Sequence, residues 1–202
     1  MTIIPPEHRL CVYCGSSPGK NPAYLQAAHT LGTVMARAGI GLVYGGGSIG
    51  LMGEVARAAL SAGGHVTGII PEFLVQKERM LEGVNELIVT RSMHERKTLM
   101  FEKSTGFVAL PGGIGTLEEL AEITTWAQLA QHAKPVIIAD VAGYWKPLLT
   151  LIDQMRAEGF IRVQTDVVLE VAQSVDNVIP IYRQRLSMTR QKVPMAAIKQ
   201  QL

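Results

Sequence analysis

The residues with the most obvious chemistry lie in LPGGIGTLEEL, Leu110 to Leu120, where Gly112, Gly113 and Gly115 precede Thr116, Glu118 and Glu119. Glycines there can take backbone angles closed to other residues, and their bare backbone lets an anion approach the N–H groups. A helix beginning at Thr116 would add unsatisfied amides and a favourable dipole, a setting that suits phosphate. No Lys-Ser or Lys-Thr follows the glycines, so the loop fits a monophosphate better than ATP hydrolysis.

The carboxylates admit two readings. Thr116-Leu117-Glu118-Glu119 matches a capping box, in which Thr116 caps a helical amide and Glu119 reaches back. A bound phosphate, however, would occupy those amides and repel a carboxylate beside it. A carboxylate kept there has a use when positive charge develops nearby, as when an N-glycosidic bond breaks through an oxocarbenium-like state. Glu118 reads as a solvated first-turn carboxylate.

Positive charge is concentrated in SMHERKTLM, Ser92 to Met100. Arg96 and Lys97 read either as solvated helix surface or as ligand contacts, and His94 as a polar surface or capping residue. Arg96 gains weight from its place at the start of a helix that follows a strand. Its guanidinium stays charged and can hold phosphate or carboxylate through two parallel bonds.

Two more turns carry unusual residues. CGSSPG offers Gly15 and Ser16, and YGGGSIGLMG offers Gly46 and Gly47. Glycines 45, 47 and 50 satisfy G-x-G-x-x-G, but a dinucleotide fingerprint belongs after the first strand and needs an acidic residue ending the next. Here that next strand, HVTGIIP, ends in Pro71. The loop is therefore expected to contribute to a nucleotide pocket without a nicotinamide or flavin, and no cofactor is expected. Cys11 and Cys14 read as small buried strand residues on opposite faces rather than a redox pair. The five histidines show no paired spacing, so no metal site is expected.

These turns need elements to hold them. Short runs rich in Val and Ile (LCVYCG, IGLVYGG, HVTGIIP, ELIVT, GFVALP, PVIIAD and DVVLEV) alternate with amphipathic stretches. In the first stretch Leu25, Ala28, Leu31 and Met35 recur at helical spacing. The last helix, VDNVIPIYRQRL, contains Pro180, a residue able to break it. The pattern predicts a single-domain, doubly wound, Rossmann-like α/β fold, a mostly parallel sheet with helices on both faces. Ligands of such sheets sit beyond the carboxyl ends of the strands, where the three glycine turns fall. Residues 1–186 form the expected domain, and 187–202 an expected flexible or partner-docked tail.

Composition narrows the class. The chain has 202 residues, 48% hydrophobic and 18% charged, with a formal net charge of +2. That balance argues against a nucleic-acid partner, and the apolar runs are too short for a membrane span. Pro5, Pro6 and Glu7 fall where a signal peptide would need an apolar core, so a cytoplasmic location is expected.

PGGIGTLEE matches P-G-G-x-G-T-x-x-E and MHERK matches M-H-x-R-K; together they resemble the LOG ("Lonely guy") family of cytokinin riboside 5′-monophosphate phosphoribohydrolases. VYCGSS, LVYGGGSIGLMG and TWAQL extend the resemblance from Cys11 to Asp140, with weaker similarity through GYWKPLL. The resemblance implies hydrolysis of adenosine 5′-monophosphate, or an N6-substituted form, to free base and ribose 5-phosphate. It implies catalytic roles for Arg96 and Glu119 and phosphate binding by Gly112, Gly113, Gly115 and Thr116. Lys97 and Thr125 would be further substrate contacts, Glu78 or Glu82 candidate base contacts, and the assembly a homodimer with helices at its interface. A broader nucleotide 5′-monophosphate nucleosidase and a non-catalytic nucleotide sensor or carrier are the alternatives on the same fold.

Overall fold

The structure, a computed structural model, describes residues 5–75, 80–161 and 169–192, with side chains described as far as Met188. Apolar strands and amphipathic helices alternate through the chain: β1 (Arg9–Tyr13), α1 (Pro22–Arg37), β2 (Gly41–Tyr44), α2 (Gly50–Ser61), β3 (Val66–Pro71) and α3 (Glu72–Val75). There follow β4 (Glu86–Thr90), α4 (Met93–Glu102), β5 (Gly106–Ala109), α5 (Ile114–Gln128), β6 (Val136–Ala139), α6 (Lys146–Ala157), β7 (Glu170–Ala172) and α7 (Val178–Lys192). The strands form one parallel sheet in the order β4-β3-β2-β1-β5-β6-β7.

Strand order reverses direction between β1 and β5, so the loops leaving those two strands diverge and open a crevice at their carboxyl ends. Two apolar layers enclose the sheet. Leu10, Val12 and Cys14 join Leu31 and Met35 of α1, Val55 of α2 and Tyr182 of α7 on one face. Cys11, Tyr13 and Phe107 join Met100 of α4 and Leu120 and Ile123 of α5 on the other. The two cysteines thus lie on opposite faces, both buried and neither in a disulfide, as period-two alternation requires. Among the described residues no helix is long and apolar enough to cross a membrane.

Three local features differ from the sequence reading. Helix α5 starts at Ile114 with Gly113 as its cap, so Thr116 lies inside the first turn and the capping box is not formed. Pro180 sits in the first turn of α7, where its missing N–H has no helical acceptor to lose, and the helix runs on. The seventh strand is shorter than expected, Glu170–Ala172, and the start of DVVLEV lies outside the described residues.

Candidate functional site

Beyond the carboxyl ends of β1 and β5 lies a cleft of about 270 Å³ lined by Cys14, Gly15, Ser16, Met52, Met93, Arg96, Gly113, Ile114, Gly115, Thr116, Glu118 and Glu119. The fold therefore gathers residues from four elements, separated by about a hundred positions in the chain, at the strand-order reversal.

One wall is the start of α5. Gly113 caps it with no side-chain hydrogen bond, and the amides of Ile114, Gly115 and Thr116 have no intrahelical acceptor. A Cβ on Gly113 or Gly115 would meet nothing within 4 Å, so both glycines present bare backbone to open space. Gly112 differs: a Cβ there would lie 2.1 Å from Thr116 Oγ1 and 2.9 Å from Gly15 N. Its lack of a side chain lets the loops after β1 and β5 cross, and the Gly15 N–H donates to the Pro111 carbonyl at 3.1 Å. The Tyr144 hydroxyl donates to the Gly112 carbonyl and holds the loop from behind.

The opposite wall carries Arg96. The Ser92 side chain accepts from Glu95 N at 3.1 Å and starts α4, which places Arg96 one turn in, only 6% exposed. Its Nε donates to the Ile69 carbonyl and its Nη2 to the Gly45 carbonyl, each at 3.2 Å. Among the described residues Nη1 donates to the Met93 sulfur, at 3.8 Å, a weak acceptor that leaves donor capacity for the cleft. A buried guanidinium needs an anion to complete its neutralisation, and the cleft offers the place for one.

Glu119 stands one turn beyond the free amides, half-buried on the cleft wall. Its charge is felt beneath the site. Burial raises the pKa of the Cys11 thiol, Glu119 raises it further and Arg96 opposes; burial likewise raises that of the Tyr13 phenol. Neither group ionises near neutrality, so neither adds charge to the layer beneath the site.

The remaining candidates sit elsewhere. Gly46 and Gly47 are buried beneath the cleft: the Gly46 carbonyl accepts from Leu81 N at 3.1 Å, and Gly47 forms a bridge to Met80. Lys97 points across to α5, and its Nζ donates to Glu118 at 2.7 Å and Glu122 at 2.9 Å. Thr125 bonds the Ala121 carbonyl and lies on a separate apolar groove between α5 and α6. His94 and Glu82 are exposed away from the cleft, and Glu78 lies outside the described residues. The sequence reading placed Gly45 in a glycine turn without its role toward Arg96, and it missed Tyr144; the partners of both are distant in the chain. No group of acidic, histidine or cysteine side chains among the described residues could hold a metal ion.

A family model described as "Possible lysine decarboxylase" matches residues 52–181. The "Probable cytokinin riboside 5′-monophosphate phosphoribohydrolase LOGL5" of Oryza sativa subsp. japonica is 52% identical over 153 residues, covering 76% of this chain and 62% of that protein. The match therefore spans under two thirds of that rice protein's length. The "Cytokinin riboside 5′-monophosphate phosphoribohydrolase LOG7" of Arabidopsis thaliana is 51% identical, covering 76% of this chain and 70% of that one. Among solved structures, the molybdenum cofactor carrier protein of Chlamydomonas reinhardtii superposes with a TM-score of 0.66 at 27% identity, covering 89% of this chain and 98% of that one.

Proposed function

We infer the function from one premise: the chain belongs to the LOG family of cytokinin riboside 5′-monophosphate phosphoribohydrolases, within the family model described as "Possible lysine decarboxylase". The proposed reaction is hydrolysis of adenosine 5′-monophosphate, or an N6-substituted form, to the free base and ribose 5-phosphate. The observation that carries it is the meeting of Arg96, Glu119 and the open amides of α5 in one cleft.

The roles follow from charge. The amides of Ile114, Gly115 and Thr116 take the 5′-phosphate oxygens, with Gly113 and Gly115 giving room for approach and Gly15 and Ser16 closing the far side. The ribose then lies against Glu119. As the C1′–N bond breaks, its electron pair leaves with the base, and positive charge on C1′ and the ring oxygen is stabilised by the Glu119 carboxylate. Glu119 also orients the water whose oxygen bonds C1′; the two water protons end on the new C1′ hydroxyl and on the departing base. Arg96, fixed by two carbonyls, balances the Glu119 charge and holds the nucleotide through its guanidinium fork.

The family description raises decarboxylation of lysine. Among the described residues no lysine lines the cleft, so none of them offers the amine that the Schiff base of pyridoxal chemistry needs. A carrier function has the Chlamydomonas structure behind it. A carrier, however, has little use for a carboxylate beside a phosphate site.

We also propose a homodimer through the α5–α6 face. A groove of about 390 Å³ there is lined by Leu117, Leu120, Leu148, Ile152 and Met155, and Phe160 beside it is 81% exposed. A second copy suits a surface so apolar on the very helix that carries Glu119. A cytoplasmic setting fits two cysteines that form no disulfide.

Chromatography of products from AMP, isopentenyl-AMP, GMP, CMP and the unphosphorylated ribosides tests the reading. Free base with ribose 5-phosphate is the expected outcome. Adenosine with inorganic phosphate would mark a phosphatase, binding without turnover a carrier, and equal rates on GMP and CMP a broad nucleosidase.

A further inference from the structure

Arg96 and Glu119 reach the cleft from different helices, so their geometry depends on how α4 sits against α5. Toward the far end of α4 the two helices meet through rings: Phe101 packs edge-on against Trp126, centroids 5.2 Å apart. Near the start of α4, beside Arg96, the link is polar. Lys97 Nζ donates to Glu118 Oε1 at 2.7 Å and to Glu122 Oε1 at 2.9 Å. Those carboxylates flank Glu119 in the sequence, one residue before it and three after.

We propose that Lys97 is a positioning residue, a brace between α4 and α5 that fixes Arg96 and Glu119 relative to one another. The proposal rests on the reading of Arg96 and Glu119 as the reacting pair. Lys97 sits next to Arg96 on α4, and its ammonium is spent on both neighbours of Glu119 instead of the cleft. The Lys97 side chain is 19% exposed, against 50% for Glu118 and 30% for Glu122. A fully exposed pair would contribute about 0–1 kcal/mol and hold nothing firmly. Two acceptors on a mostly covered ammonium restrict its geometry far more than one. The carboxylates also raise the Lys97 pKa, chiefly through the Glu118 hydrogen bond, which keeps the brace charged. There is a second benefit: Lys97 neutralises the extra carboxylates that would otherwise repel an incoming phosphate.

The brace and a direct substrate contact give opposite results when the glutamates are removed. If Lys97 acts through Arg96 and Glu119, Lys97→Met and the double variant Glu118→Gln/Glu122→Gln should each lower kcat by about tenfold, since displacements near 1 Å cost catalysis that much or more. KM for AMP should stay within about threefold, and the triple variant should be no worse than either parent variant, because all break one interaction. Lys97→Arg, which keeps both pairings, should recover kcat. Hydrogen exchange of the backbone around residues 94–98 should quicken in Lys97→Met and in the double glutamine variant alike.

A double glutamine variant with parental kcat and unaltered exchange overturns the brace. So does a Lys97→Met loss confined to KM for phosphorylated substrate, which would make Lys97 a ligand contact. Failure of the underlying reading looks different: the parent protein itself would release no base, whatever the exchange data show.

Discussion

Arg96 and Gly45 compete for one space. Arg96 Nη2 donates to the Gly45 carbonyl at 3.2 Å, and a Cβ on Gly45 would stand 2.1 Å from that same nitrogen. Since Arg96 is also bonded to the Ile69 carbonyl and is almost wholly buried, it cannot yield without leaving its seat. Gly45 is not among the positive-φ glycines, so alanine there meets no backbone penalty of its own. Gly45→Ala should therefore displace Arg96 while deleting no functional group. The expected result is a fall in kcat/KM of at least about tenfold, about 1.4 kcal/mol of transition-state stabilisation, in a protein that still melts cooperatively. Kinetics with AMP and a thermal melt check it; parental kinetics would show that the guanidinium position is not critical.

The 5′-phosphate should dominate recognition. Gly113 has extended backbone angles and open space around its Cβ position, so Gly113→Val is expected to fold normally and fill the cleft instead. Loss of a charge-assisted contact costs about 1.5–3 kcal/mol, or about one to two decades in affinity. Calorimetry should show AMP binding weakened by at least that much in Gly113→Val, and adenosine binding the parent protein comparably weakly. Equal affinity for adenosine and AMP would remove the α5 amides from the site.

Stability should fall on the acid side of neutrality through His132. Its Nε2 bonds the Ile123 carbonyl at 2.9 Å, and Lys134 N donates to its Nδ1 at 3.1 Å, which requires the neutral ring with the proton on Nε2. Burial lowers its pKa below 6.5; the Ile123 carbonyl opposes this and the Lys134 charge reinforces it. The unfolded chain thus takes up a proton first as pH falls. The contribution is fully present above about pH 6.5 and is lost as pH drops through the lower folded value. His65, lowered mainly by burial, acts in the same sense. His132→Asn should flatten the melting temperature between pH 7.5 and 5.5 relative to the parent; an unchanged slope would assign the acid sensitivity elsewhere.

What could be read in advance divides by range along the chain. The sheet was legible because the strands are short, mostly apolar runs bounded by turn residues. The start of α4 was legible because Ser92 is a cap whose partner, Glu95, lies three residues on. Helix α5 shows why local patterns fail: Thr116 through Glu119 satisfies a capping box, yet the chain is already helical at Ile114. Thr116 is instead buried against Gly112 under the crossing of two loops, a contact no local pattern contains. Gly46 and Gly47 read as ligand contacts, yet both are buried, with Met80 and Leu81 paired against them. The seat of Arg96 spans 51 residues from Gly45, and the Lys97 pairs span 21 and 25. Such partners are set by sheet order and are invisible to spacing.

The sharpest test of the mechanism is the charge on Glu119. With Gly113 as the cap of α5, Glu119 has no capping-box duty, so Glu119→Gln should shift stability by less than about 1 kcal/mol. The glutamine keeps the size of the side chain and one acceptor oxygen, and it removes the negative charge. If that charge faces the forming oxocarbenium, turnover should fall by at least about a hundredfold, about 2.7 kcal/mol of transition-state stabilisation. AMP binding should hold or tighten, because a carboxylate near the phosphate is gone. Glu118→Gln removes the same charge one residue away; it leaves Lys97 its bond to Glu122 and should cost no more than about threefold in turnover. Steady-state kinetics, calorimetry with AMP and thermal melts of both variants decide the matter. A Glu119→Gln enzyme that turns over like the parent would remove the carboxylate from the chemistry and leave the cleft a nucleotide-binding site alone.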